Sequence, residues 1–107
     1  MKDLINILHE GGHSLVVANG DIRTFDGRGV SDLYRLLEED SGFLYGASVA
    51  DKVVGKAAAA MMVLAKVKEV YADVVSQPAL DLLESNRIRI TYENIVPYLS
   101  LIHISEP

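Results

Sequence analysis

The sequence predicts one α/β domain whose sheet begins with a hairpin and continues as parallel strands covered by helices. Three observations predict it. Asn19-Gly20 joins two short strand-like runs. The block from Ala47 to Ala65, ASVADKVVGKAAAAMMVLA, reads as a buried strand running straight into an almost wholly apolar helix. Beyond it the pattern repeats as strand, helix, strand, and crossover helices of that kind return the chain so that strands lie parallel.

Each element has its own local cause. Asp3 to His9 is a short helix with Leu4, Ile7 and Leu8 on one face, ended by Gly11-Gly12. Ser14 to Ala18 and Asp21 to Phe25 are strands joined at Asn19-Gly20, the strongest local hairpin signal in the chain. The segment Asp26-Gly27-Arg28-Gly29 then breaks the pattern. Ser31 is expected to cap a helix over Asp32 to Glu39, with Leu33, Leu36 and Leu37 at helical spacing. Gly42 to Ala50 reads as a strand buried on both faces, because it is apolar without alternation. Asp51 is expected to cap the long helix, which extends to Lys66 or Val67. Its apolar surface includes Val53, Val54, Ala57, Ala58, Met61, Met62 and Leu64, so a second helix or a subunit is expected opposite the sheet. Glu69 to Val75 is the next strand. Ser76 or Gln77 caps a helix through Glu84, with Pro78 in the first turn, where its missing N–H costs nothing. Asn86 closes that helix, and Ile88 to Tyr92 alternates as the last strand.

The tail departs from this order. Asn94 to Tyr98 begins one more element, and LSLIHISEP completes nothing. The string LIHISEP resembles the translated read-through of a sequencing-adapter fragment. On that resemblance residues 1–98 are the domain, 99–107 are aberrant, and the native chain diverges near Ser100.

Composition narrows the function classes. The 107 residues contain no cysteine, which removes disulfides and thiolate metal sites. A net charge of -5, with no dense run of Lys and Arg, argues against a nucleic-acid partner. The start MKDLINILHEGG lacks the features of a signal peptide, and the apolar run from Ala57 to Ala65 is far short of the ~18 residues of a membrane span. The cytoplasm is the expected location.

Ligands of α/β sheets bind beyond the carboxyl ends of the strands, where helix N-termini point. The two such junctions are Ser48 to Lys56 and Asp73 to Ala79. On the helix reading, Lys52 and Lys56 lie four apart on its opening turn. Cations there oppose the helix dipole unless an anion occupies the helix end. Gly55 would let a ligand or a neighbouring chain approach the backbone. Gly55-Lys56 is not a phosphate loop, because the glycine-rich approach is missing and Ala57 follows the lysine. Gly27-Arg28-Gly29 lacks the third glycine of a dinucleotide fingerprint and reads as a turn. Of the three histidines, His9 and His13 could converge at Gly11-Gly12, but no third ligand accompanies them and His103 sits in the tail, so no metal is expected. Ser48 and Ser76 stand near strand ends without a histidine to activate them. Asp51 and Asp73 are candidate acid/base groups, and equally simple caps or strand-end carboxylates.

The segments SLVVANGD, ASVADKVVGKAAAAMMV and VVSQPALDLLE resemble the DUF1893 family of bacterial proteins over Leu4 to Tyr98. The resemblance implies a three-layer α/β/α domain of the cytidine-deaminase-like fold, with a mixed five-stranded sheet that begins with an antiparallel hairpin. It also implies where a zinc deaminase would place its ligands. The His-x-Glu motif falls on Asp51 to Lys56, which contains neither residue. The Pro-Cys-x-x-Cys motif falls on Ser76 to Leu82, where Pro78 is kept but Ala79 and Leu82 replace the cysteines. Zinc deamination is therefore not expected, and no cofactor is. A Gly-rich segment with a Cys-Pro-Met-Glu-like string ends members of this family, and the tail replaces it here.

The expected function is binding of a small anionic or nucleotide-like ligand at the junction. Lys52 and Lys56 would contact the anion, Asp51 would orient a lysine or cap the helix, Gly55 would admit the ligand, and Ser76 would line the site. One alternative is a zinc-independent enzyme acting through Lys56 or Asp51. Another is a structural domain whose Met61-Met62 helix forms a homo-oligomer surface.

Overall fold

The computed structural model describes residues 1–27 and 30–99. The elements run α1 (Lys2–Glu10), β1 (Leu15–Asn19), β2 (Asp21–Phe25), α2 (Ser31–Glu39), α3 (Ser41–Leu44), β3 (Ser48–Val54), α4 (Lys56–Ala65), β4 (Glu69–Ser76), α5 (Gln77–Ser85) and β5 (Arg89–Val96). The sheet has five strands in the order β2-β1-β3-β4-β5. β1 is antiparallel to both β2 and β3, while β3, β4 and β5 are parallel. Helices lie on both faces, so the domain is a mixed, three-layer α/β/α structure as expected.

The two faces are unequal. Leu33 and Leu36 of α2, Ala58 and Met62 of α4, and Leu80 and Leu83 of α5 meet Leu15, Val17, Val49, Val70 and Ala72 in the large core. On the other face a single helix, α1, places Leu4 and Leu8 on Val16, Ala50 and Tyr71. Residues alternate sides along a strand, which is why Val16 and Val17 belong to different cores.

Several expected boundaries move. The stretch expected as a strand from Gly42 opens instead as the one-turn helix α3, and Gly46 turns the chain at φ +72° before β3 starts at Ser48. β3 then continues to Val54, because its pairing with β4 carries on through Val53↔Val74 and Val54↔Val75. Asp51 therefore sits inside a strand and caps no helix. α4 starts at Lys56 with Gly55 at its N-cap, so Lys52 and Lys56 share no helical turn. Val30, and not Ser31, holds the N-cap position of α2; Ser31 is its first residue. β5 runs on to Val96, absorbing Asn94 to Val96 rather than starting a new element.

Other expectations hold. The Asn19-Gly20 turn joins β1 and β2, with Gly20 at φ +86°, a conformation that favours glycine. The Ser76 hydroxyl caps α5 by accepting the Ala79 N–H at 3.2 Å, Pro78 lies in the first turn, and Asn86 ends the helix. Met62 is wholly buried and Met61 partly so, whereas Leu64 is 71% exposed. α4 packs against α5 rather than presenting Met61-Met62 to solvent. Among the described residues no helix is long and apolar enough to cross a membrane. Arg28, Gly29 and most of the tail, from Ser100 onward, lie outside the described residues, so the expected Gly27-Arg28-Gly29 turn, the adapter-like reading and His103 fall there.

Candidate functional site

The parallel strands β3 and β4 end side by side, since Val54 pairs with Val75. Gly55 and Lys56 therefore emerge next to Ser76 and Gln77, and the N-termini of α4 and α5 open at the same end of the parallel strands. Two of the expected site regions are brought together here, although their side chains differ in availability. Ser76 is buried and its hydroxyl is engaged as the α5 cap. Lys56 and Lys52 are exposed, and neither is ion-paired with a described residue. At Gly55 it is the chain itself that approaches: a Cβ there would lie 3.1 Å from Cδ1 of Leu99. The Leu99 side chain thus lies against Gly55 at the start of α4, where a Cβ would crowd it.

Asp51 is the most unusual group at this end. It lies between Leu15 of β1 and Ala72 of β4, both members of the large core, and on the same side of β3 as Val49. Burial pushes its carboxyl from 3.8 up to about 7, against the backbone N–H groups of Val53 and Lys52, which favour the ionised form. The nearby Asp73 charge adds a smaller push in the same direction. A carboxyl balanced near neutral pH can give a hydrogen bond in one state and accept one in the other.

A second polar cluster occupies the opposite face, and it joins residues far apart in sequence. His9 Nε2 of α1 meets Asp73 Oδ1 of β4 at 2.7 Å, and the Tyr71 hydroxyl donates to the same oxygen at 2.6 Å. The His9 and Tyr71 rings stand edge to face, 6.1 Å between centroids. Burial raises the Tyr71 phenol above its ordinary value, and the Asp73 hydrogen bond and charge and the Glu93 charge reinforce the shift. The spacing of Tyr71 and Asp73, two apart on one strand face, is visible in the sequence; their meeting with His9 is not. His13 pairs instead with Asp26, Nδ1 to Oδ1 at 2.7 Å, so the two histidines do not converge.

Ser48 is removed from the junction altogether. It begins β3, and its hydroxyl donates to Glu69 Oε2 at 2.6 Å at the far end of the sheet. An open depression of about 830 Å³ lies at that same far end, lined by Lys68, Glu69, Glu84, Arg87, Arg89 and Ile90. The parallel strands begin there and no N-terminus of their crossover helices points into it, so it does not extend the junction. Among the described residues no group of three His, Cys, Asp or Glu side chains could hold a metal ion. Ala79 is wholly buried and Leu82 packs on the large core, so both serve packing.

Residues 3–101 match the model of a domain of unknown function, DUF1893, and the chain belongs to that family. A crystal structure of a DUF1893 family protein from Thermotoga maritima (TM1506), at 2.70 Å resolution, superposes with a TM-score of 0.83 at 27% identity. The match covers 92% of this chain and 67% of that one. Among curated proteins none matches the chain.

Proposed function

We propose that this DUF1893 member is a deaminase-like domain without the zinc reaction, and that it binds a small anionic or nucleotide-like ligand where β3 and β4 end. Asp51 carries the reading. A carboxyl pushed up to about 7 by burial, close to the carboxyl ends of parallel strands, marks a candidate recognition or proton-transfer site, and in its protonated form it can donate to an anion. Lys52 and Lys56 supply positive charge at the rim, and the α4 N-terminus adds its dipole. Gly55 and Leu99 bound the opening, and Ser76 fixes the direction of α5 beneath it.

The antiparallel hairpin followed by three parallel strands supports the deaminase-like assignment. The residues do not fit the zinc of that fold: Ala79 and Leu82 stand where ligands would be, and no three candidate ligands gather among the described residues. A small ligand suits a chain of net charge -5 better than a nucleic acid does. A second reading, zinc-independent catalysis, is favoured by Asp51 alone, whose balance near neutral pH suits a general acid or base. The exposure of Lys56 gives that residue no comparable support.

Titration calorimetry with nucleosides, nucleoside monophosphates and inorganic phosphate at pH 6 and pH 8 tests the proposal. Phosphate-bearing compounds should bind, and Lys52→Ala with Lys56→Ala should weaken them at least tenfold. No binding across the panel at either pH overturns it. Chemical change of a bound compound, abolished by Asp51→Asn, would select the catalytic reading.

A further inference from the structure

The sheet has two edges, and they are built differently. β2 is short, Asp21–Phe25, and its Arg23 is engaged on the face of the sheet that α2 and α3 cover: it bonds Asp40 Oδ2 at 3.0 Å and lies 3.9 Å over the Phe43 ring. β5 is eight residues long, and none of them is buried. It contains no Pro, Gly or Lys, the residues that usually blunt an edge, and Ile90, Thr91, Tyr92, Ile95 and Val96 all favour extended pairing. Neither Arg89 nor Glu93 is ion-paired with a described residue. Its outward N–H and C=O groups form a ready ladder for another strand.

We propose that the Arg89–Glu93 part of this ladder is filled by the same five residues of a second copy, antiparallel about a two-fold axis at Thr91, joining two sheets into one. Charge selects the occupant and the register. With Thr91 opposite Thr91, Arg89 of each copy faces the partner's Glu93, and the two-fold axis makes this pair twice. The same register sets Ile90 opposite the partner's Tyr92. Side chains that face each other across an antiparallel pair lie on the same side of the sheet, so the charges and the apolar residues separate cleanly. Arg89, Thr91 and Glu93 fall on the side of Tyr71, which pairs with Thr91 within the subunit. Ile90 and Tyr92 fall beside Val70 and Ala72, where Ile90 already packs on the large core. The pairing therefore continues that core into the second copy.

Other self-pairings lose these contacts. Moving the axis to between Tyr92 and Glu93 sets Tyr92 against Glu93 and Arg89 against Val96. Parallel pairing in register stacks Arg89 on Arg89 and Glu93 on Glu93. β5 lies beyond β4 from β3, so the interface and the proposed ligand site stand or fall separately.

Sedimentation equilibrium on the full chain tests the interface. A dimer is expected. Arg89→Glu alone and Glu93→Arg alone should each weaken association at least tenfold, by setting like charges opposite one another. The exchange variant carrying both should restore it within about threefold, with circular dichroism confirming the fold of each protein. Tyr92→Lys should also dissociate the dimer, and it serves as the second probe if a charge variant fails to fold. A monomer at all concentrations, a dimer indifferent to the single reversals, or an exchange variant that does not recover overturns the proposal.

Discussion

Asp51 and Asp73 are the same residue type on neighbouring strands, yet the two faces of the sheet treat them in opposite ways. Asp51 is on the side covered by α2, α4 and α5, flanked by Leu15 and Ala72, and burial dominates its carboxyl. Asp73 is on the side that carries only α1, where His9 and the Tyr71 hydroxyl both reach it. A layer of three helices makes one carboxyl reluctant to ionise. A thinner layer leaves room for partners that suit the charge of the other. A sheet with unequal cover thus offers two electrostatic environments a few ångströms apart.

Removing the thin cover tests this contrast most severely. Leu8 is wholly buried and anchors α1, so Leu8→Ala should cost ~2–5 kcal/mol in urea unfolding. It should also uncouple His9→Ala: that second substitution should cost about 1 kcal/mol in the intact protein and less once the anchor is lost.

Asp51→Asn comes next and carries the opposite sign. The native carboxyl keeps its proton up to pH about 7, whereas the unfolded chain releases it near 3.8. Its contribution is thus complete below pH 3.8 and is lost as pH rises through 7. The full shift corresponds to at most ~4 kcal/mol, and the partial solvent contact of Asp51 reduces it. At pH 8 Asp51→Asn should stabilise the protein by ~1–3 kcal/mol; at pH 4 it should change little. Parallel pH profiles for both proteins would erase the distinction between the faces.

Asp73→Asn is the smallest effect of the three. It should cost ~1–2 kcal/mol at pH 8, because two donors lose a charged acceptor. The Asp51 transition, followed by NMR, should move down only slightly, since Asp73 is the weakest of the influences on it. A large displacement would show that the two sides act as one.

The hairpin was legible because Asn19-Gly20 carries its own turn chemistry, and α5 because Ser76, Pro78 and Asn86 mark its ends. Family membership was legible in the three quoted segments. Asp51 stands out in the sequence but suggests the wrong local role: an aspartate before an apolar run looks like a cap, and only pairing with β1 and β4 holds it in a strand. Phe43-Leu44 read as strand because propensity does not register the α3 turn that Gly46 closes. Lys52 and Lys56 inherited the same boundary error. The His9–Asp73–Tyr71 cluster left no local signature, because His9 and Asp73 are 64 positions apart and meet only when α1 docks. The Leu99 contact that accounts for Gly55 is equally non-local.

The strand order also divides the molecule into two sets of consecutive strands, β1-β2 and β3-β4-β5, with one seam between them. That seam is the antiparallel ladder from Leu15↔Asp51 to Ala18↔Ser48, four residue pairs long, and α1 lies across both of its strands. Each set can assemble from contacts close in sequence, so closing the seam is the step with the longest loop to order. Asp51 occupies one end of the seam. Its ionisation therefore acts on the place where the halves meet, and amide exchange in alkaline solution should quicken first at the N–H groups bonded across this seam, ahead of the strands beyond.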